Sequence, residues 1–169
     1  MKAQARTGIP LTPVPVDFRL EDFLPYRLSV AASRISRMCS RRYSEAYGLT
    51  LPEWRVLATI GRFGTLSPTA VTEWTAMDKV KVSRAAASLV ARGLVRQMPD
   101  PNDGRGRRLR LTRKGTIVHQ GAVPLAQELE TTLAGGLSPR EWSALNKALT
   151  HLNLHLQNID GPDQGDALD

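Results

Sequence analysis

Eleven basic side chains lie between Lys79 and Lys114, and only Asp100 and Asp103 oppose them. That stretch carries +9 while the whole chain carries +7, so the remainder is slightly acidic. One concentrated cationic segment on such a body is the electrostatic footprint of a polyanion binder. A solvated charged face is the alternative for any basic run taken alone. The segment opens on Lys79-Val80-Lys81-Val82-Ser83-Arg84. Cations and a hydroxyl there crowd the first turns of a helix, where free backbone N–H groups and the macrodipole also favour an anion. An arginine can fork onto a guanine edge, whereas lysine and serine suit phosphate oxygens. Further on, Arg105 and Arg107 flank Gly106. A guanidinium on such a loop could enter a narrow minor groove, and Asp103 is expected to hold an arginine side chain rather than touch nucleic acid.

The elements that must carry these groups follow from spacing and caps. Apolar residues recur at helical intervals from Asp22 to Tyr47 (Leu28, Ala31, Ile35, Met38), and Gly48 stands where a helix should stop. Thr50 with Glu53 forms a capping box for a second helix, with Trp54, Leu57, Ala58 and Phe63 as its stripe and Gly64 at its end. Ser67-Pro68 predicts a short helix over 68–75, Ala76-Met77-Asp78 a brief turn, and 79–92 a further helix stopped by Gly93. The period then drops to two over 94–98 and 107–111, around the turn formers 99–106, which predicts a β-hairpin with a basic tip. Thr112 caps a helix through about Ala134, with Ile117, Val118, Leu125, Leu129 and Leu133 inward and a kink expected at Pro124. Ser138-Pro139-Arg140-Glu141 starts the last helix, which carries Trp142, Leu145, Leu149, Leu152 and Leu156.

Short helix, tight turn, longer helix is a helix-turn-helix unit, and the hairpin after it is a wing. The fold class expected is mainly α with a small β-hairpin: a winged helix-turn-helix plus dimerisation helices. Residues 1–20 read as an extended arm, with Pro10, Pro13 and Pro15. The regions 21–48 and 112–158 read as a helical dimerisation region and 49–111 as the DNA-binding lobe. Residues 159–169 read as a disordered acidic tail. The DNA-facing set expected is Ser67, Thr69, Lys79, Lys81, Ser83, Arg84, Ser88, Arg105 and Arg107. The leucine seam of the last helix would stay partly open on one small chain, which argues for a homodimer. A two-fold pair would present two such helices to a pseudo-palindromic duplex.

Composition narrows the remaining classes. A chain of 169 residues, 41% hydrophobic, can bury a core without staples. One cysteine excludes an internal disulfide. No apolar run reaches the length of a membrane span and no secretory leader is visible, so a cytoplasmic protein is expected, nucleoid-associated when bound to DNA. No phosphate loop, HExxH or Ser/His/Asp set marks an enzyme, and no cofactor is expected. His151 and His155 are spaced i, i+4 but lack a third ligand. A non-specific basic nucleic-acid-binding or architectural protein is the rival reading. It accounts for the charge but not for a capped helix, turn, helix and wing in this order.

The ordered set Met77-Asp78-Lys79-Val80, Val82-Ser83-Arg84, Leu89 through Val95, Asp100 through Arg105, Leu109 through Thr112 and Gly115 resembles the multiple antibiotic resistance regulator (MarR) family of winged helix-turn-helix transcription factors. The resemblance spans about residues 22–157, and Asn102 stands where that wing motif often has arginine. It implies a homodimer built by the first and last two helices, and a repressor released from its operator by a small aromatic or phenolic anion. The stretches 25–29 and 52–55 resemble members that sense aromatic acids or their thioesters. Carried over, Arg27 would supply the cation, Trp54 a stacking surface and His119 a donor. Each also has a plain structural role: ion pair, core aromatic, satisfied histidine. Some relatives sense peroxide through a cysteine in the first helix. Cys39 near Arg37, Arg41 and Arg42 keeps a redox-sensing alternative open, against a buried inert thiol.

Overall fold

The computed structural model describes residues 17–101 and 103–160, with Gly104, Arg105 and Asp160 described in backbone only. The expected arm, up to residue 16, and the tail from 161 onward lie outside the described residues. A 3-10 turn, Leu20–Asp22, leads into α1 (Leu24–Tyr47), α2 (Leu51–Phe63), α3 (Pro68–Thr75), α4 (Lys79–Ala91), β1 (Val95–Asp100), β2 (Asp103–Leu111), α5 (Arg113–Ala134) and α6 (Pro139–Asp160). The fold is mainly α with one antiparallel hairpin, as the spacing predicts.

The caps set these boundaries. Gly48 closes α1 in the left-handed region at φ 61°, and its N–H donates to the Ser44 and Tyr43 carbonyls. Thr50 accepts from the Glu53 N–H at 3.3 Å, while Glu53 Oε2 accepts from the Thr50 N–H at 2.7 Å. Ser67 accepts from the Ala70 N–H at 3.1 Å, Asp78 from the Lys81 N–H at 2.7 Å and Thr112 from the Gly115 N–H at 3.0 Å. Each cap satisfies a donor that a helix start would otherwise leave open. Gly115 has a second task. A Cβ there would collide with the Leu94 carbonyl, so only glycine lets α5 begin against the root of β1.

The core lies in the lobe made by α2, α3, α4 and the hairpin, closed from behind by α5. Leu49, Val56, Leu57, Ile60, Val71, Val82, Leu89, Leu94, Val95 and Leu109 are essentially sealed from water. Tyr43 from α1 and Ala122, Leu125 and Leu129 from α5 complete it. Leu66, in the α2–α3 connection, exchanges both backbone hydrogen bonds with Leu109, which seats α3 on the wing.

Several expectations need correction. The strands are longer than 94–98 and 107–111: pairing runs from Val95↔Leu111 through Pro99↔Arg107, then shifts register to Asp100↔Asp103. The glycine-rich stretch 103–106 is therefore strand. Asp100 and Arg108, at 2.9 Å, hold the two strands together. Helix α5 runs through Pro124 to Ala134, the extent the spacing predicts. Ile117 is not inward but 62% exposed, Phe63 stacks on the exposed Trp74 at 4.2 Å, and Ile35 of α1 is also open. Helix α6 continues to Asp160, two residues into the expected tail. No helix among the described residues is long and apolar enough to cross a membrane.

Candidate nucleic-acid interface and effector site

Helix α4 has three faces, and its neighbours decide what each can do. Val82, Ala86 and Leu89 are buried against the core. Lys81, Ala85, Ser88 and Arg92 recur at intervals of four, three and four, which puts them on one side of the helix. That side faces α2. Ala85 is buried, Ser88 Oγ donates to Glu53 Oε1, and Arg92 lies 3.6 Å from Glu53 Oε2. Lys81 Nζ pairs with Asp78 at 2.9 Å. The remaining face, Lys79, Val80, Ser83, Arg84 and Ala87, is exposed. Among the described residues, Lys79 and Arg84 make no ion pair.

The expected interface residues thus divide. Thr69 of α3, Lys79 and Ser83 of α4, and Gln97 of β1 line one cleft of about 270 Å³. Ser67 stands at the start of α3 as its cap. Arg107 pairs with Pro99 and shares a strand face with Leu109, the face turned toward that cleft. Ser88 does not join them. Its hydroxyl is committed to the buried Glu53 carboxylate, because Ser88 lies on the stripe with Ala85 and Arg92 that packs toward α2. Lys81 turns toward Asp78 and a cleft lined by Ser36, Arg55 and Met77. The Arg105 side chain lies outside the described residues. Val80, 59% exposed one turn before Arg84, was not singled out by charge or hydroxyl chemistry. Its signal is an apolar residue on the polar face of a helix, where a methyl group can touch a thymine methyl.

Glu53 is the anchor behind this arrangement. Burial pushes its carboxyl up, but donation from Ser88 and Thr50 and the Arg92 guanidinium outweigh that and hold it below the ordinary glutamate value. Arg92 also donates to the carbonyls of Gly48 and Tyr47, at 3.0 and 3.1 Å. One ionised group therefore ties α4 to the start of α2 and to the end of α1.

The three residues expected to hold an effector are not together in one chain. Trp54 stacks between Tyr43, at 4.7 Å, and His119, at 6.1 Å, so α1, α2 and α5 meet in a ladder of rings. The His119 ring lies on the backbone of Gly61, where a Cβ would overlap it. Burial lowers its pKa. Arg27 is elsewhere, in a cleft of about 550 Å³ with Glu21, Tyr26, Val30, Ala31, Arg34 and Ile35. Sixteen residues separate it from Tyr43, which is about 24 Å along a helix. Cys39 is half-buried, and burial raises its thiol pKa despite an opposing effect of Arg55. Its sequence neighbours Arg37, Arg41 and Arg42 are not what acts on it. Such a thiol is a weak nucleophile at neutral pH.

Residues 47–106, from the end of α1 to the wing, match the MarR family. The HTH-type transcriptional repressor IacR of Pseudomonas putida is 26% identical over 147 residues, 87% of each chain. Among solved structures, Bordetella bronchiseptica BpsR, whose DNA binding is regulated by 6-hydroxynicotinic acid, superposes with a TM-score of 0.75 at 26% identity. It covers 80% of this chain and 96% of BpsR. Staphylococcus aureus MepR in its DNA complex shares the fold at a TM-score of 0.72 and 20% identity, over 80% of this chain and 99% of MepR. These relatives are transcriptional regulators, not enzymes. The capped helices, turn, recognition-type helix and wing agree with that match, and over the DNA-binding lobe the chain is similar to the MarR family of winged-helix transcriptional regulators.

Proposed function

We propose that the protein is a homodimeric, sequence-specific DNA-binding repressor. One observation carries the reading: the open face of α4 gathers Lys79, Val80, Ser83 and Arg84, with no acid paired to them among the described residues, beside Thr69 and the wing face of Arg107. Arg84 reads a base edge, Lys79, Ser83, Ser67 and Thr69 hold phosphates, and Arg105 and Arg107 carry the wing to the minor groove. Residues 49–111 form the DNA-binding lobe, and 21–48 with 112–158 the dimerisation region. Dimerisation is supported by α6, which has no comparable packing partner among the described residues. Its Leu145, Leu149 and Leu156 are each about 40% exposed, as is Ile35 of α1, and Ile117 of α5 is more open still. An open apolar surface of that extent calls for a second copy.

Release is by a small aromatic anion at the Tyr43–Trp54–His119 ladder. Arg27 lies too far along α1 to reach that ladder within its own chain, so in the proposed dimer the partner's Arg27 would supply the cation. Fluorescence anisotropy on a selected and a scrambled duplex, across a salt series, tests the reading. It predicts a specific complex above the salt-dependent background. Equal affinity for both duplexes at every salt concentration would turn the account toward an architectural protein.

A further inference from the structure

The outermost line of α4 begins on an apolar side chain. Val82, Ala85, Ala86 and Leu89 are the buried residues of this helix. At about 100° per residue, the direction opposite their common centre falls within about 10° of Val80 and within about 30° of Arg84 and Ala87. Lys79 and Ser83 stand to one side of that line, and Lys81, paired with Asp78, to the other. A groove laid over the start of α4 therefore meets Val80 and Arg84 first, one turn apart.

Single exposed valines are common on protein surfaces, so the 59% exposure of Val80 carries nothing alone. Its position and chemistry carry more. Val80 is the second residue of α4, and a branched side chain there lowers helix propensity. It gains no core contact in return, whereas Val82 belongs to the core and Val90 packs against it. Its methyl groups can neither donate nor accept, so they cannot hold a phosphate. In the major groove only thymine offers an apolar group, the C5 methyl. Against the polar edges of the other bases, Val80 would cover donors or acceptors without satisfying them.

We propose that Val80 is a specificity-determining residue that reads a pyrimidine 5-methyl group, so that each half-site carries a thymine under the start of α4. This assignment rests on α4 being the recognition helix, and adds the base that its apolar line selects. Arg84 lies four residues on, about 6 Å along the axis, on the order of two base-pair steps. The thymine met by Val80 and the guanine met by Arg84 are therefore near neighbours in one half-site.

The test uses the full chain and a duplex that it selects from a random pool. Each thymine is replaced in turn by deoxyuridine, which deletes the methyl and leaves the base pairing and the backbone unchanged. One thymine per half-site should respond, with affinity falling about three- to tenfold in anisotropy at fixed salt. Val80→Ser, which exchanges the two methyls for a hydroxyl, should bind the thymine and uracil duplexes alike. Circular dichroism melting checks that the variant keeps its fold. Val80→Ala, the better helix former, repeats the comparison if the serine variant melts early, and should narrow the gap. A selected duplex in which every thymine tolerates uracil overturns the assignment and leaves the recognition-helix reading standing. So does an undiminished thymine–uracil gap in both variants, which would give the contact to another side chain. A pool with no enriched sequence removes the proposed function, and the role of Val80 with it.

Discussion

Arg84 and Ser88 stand one turn apart on α4, yet one is open and unpaired while the other is tied to Glu53. Arg84→Ala should weaken operator binding by about 1–3 kcal/mol and relax base choice at one position; anisotropy against single-base operator variants checks this, and a uniform loss would make Arg84 a phosphate contact. Ser88→Ala should instead lower fold stability by about 1–3 kcal/mol, because a buried carboxylate loses a donor, while leaving the salt slope of binding unchanged. His119 adds a pH dependence. Its pKa is lowered in the folded chain by burial, so the unfolded imidazole, near about 6.5, takes the proton more readily. Stability from this group is complete above that value and is lost as pH falls from it toward the folded value. Urea unfolding at pH 7.5 and 5.5 should therefore show a smaller drop in His119→Gln than in the unsubstituted protein, and an equal drop would remove His119 from the acid limb. Glu53 acts in the same direction lower down. Its carboxyl is held below the unfolded value, so its contribution is present above that value and disappears as pH falls through the folded one.

At the scale of elements, the turn between α3 and α4 carries a cost of its own. Ala76 sits in the left-handed region at φ 49°, where a side chain costs roughly 1–2 kcal/mol. Ala76→Gly should be neutral to stabilising by up to about 1 kcal/mol, offset by the wider freedom of glycine in the unfolded chain; a loss of more than about 1 kcal/mol in thermal unfolding would contradict this. The helix starts were legible because capping is local: Thr50, Ser67, Asp78, Thr112 and Ser138 each sit within three residues of the N–H they receive. The wing was only half legible. Gly104 and Gly106 read as loop by composition, but the Pro99↔Arg107 pairing and the room Gly106 leaves for Asp100 and Asp103 make that stretch strand. Which side of α4 faces outward was not legible either. Lys81 and Ser88 have the right chemistry for DNA, and only the position of Glu53 and Asp78 turns them away. The same holds for Arg27 and Trp54, whose distance depends on where α2 crosses α1.

For the whole molecule, the proposed second protomer accounts both for the open leucines of α6 and for the distance between Arg27 and Trp54. Leu149→Glu should shift the protein to a single chain in sedimentation and cut operator affinity at least tenfold, since two linked helices gain by binding together; a variant that stays paired would move the interface elsewhere. The central claim is that two copies of the open α4 face read one duplex in register. Selecting bound sequences from a random duplex pool, then weighing the complex by sedimentation, tests it most directly. The account predicts an inverted repeat with half-sites about 10 base pairs apart, centre to centre, carrying two chains. A pool that yields no enriched sequence, or a complex with one chain per site, would contradict it.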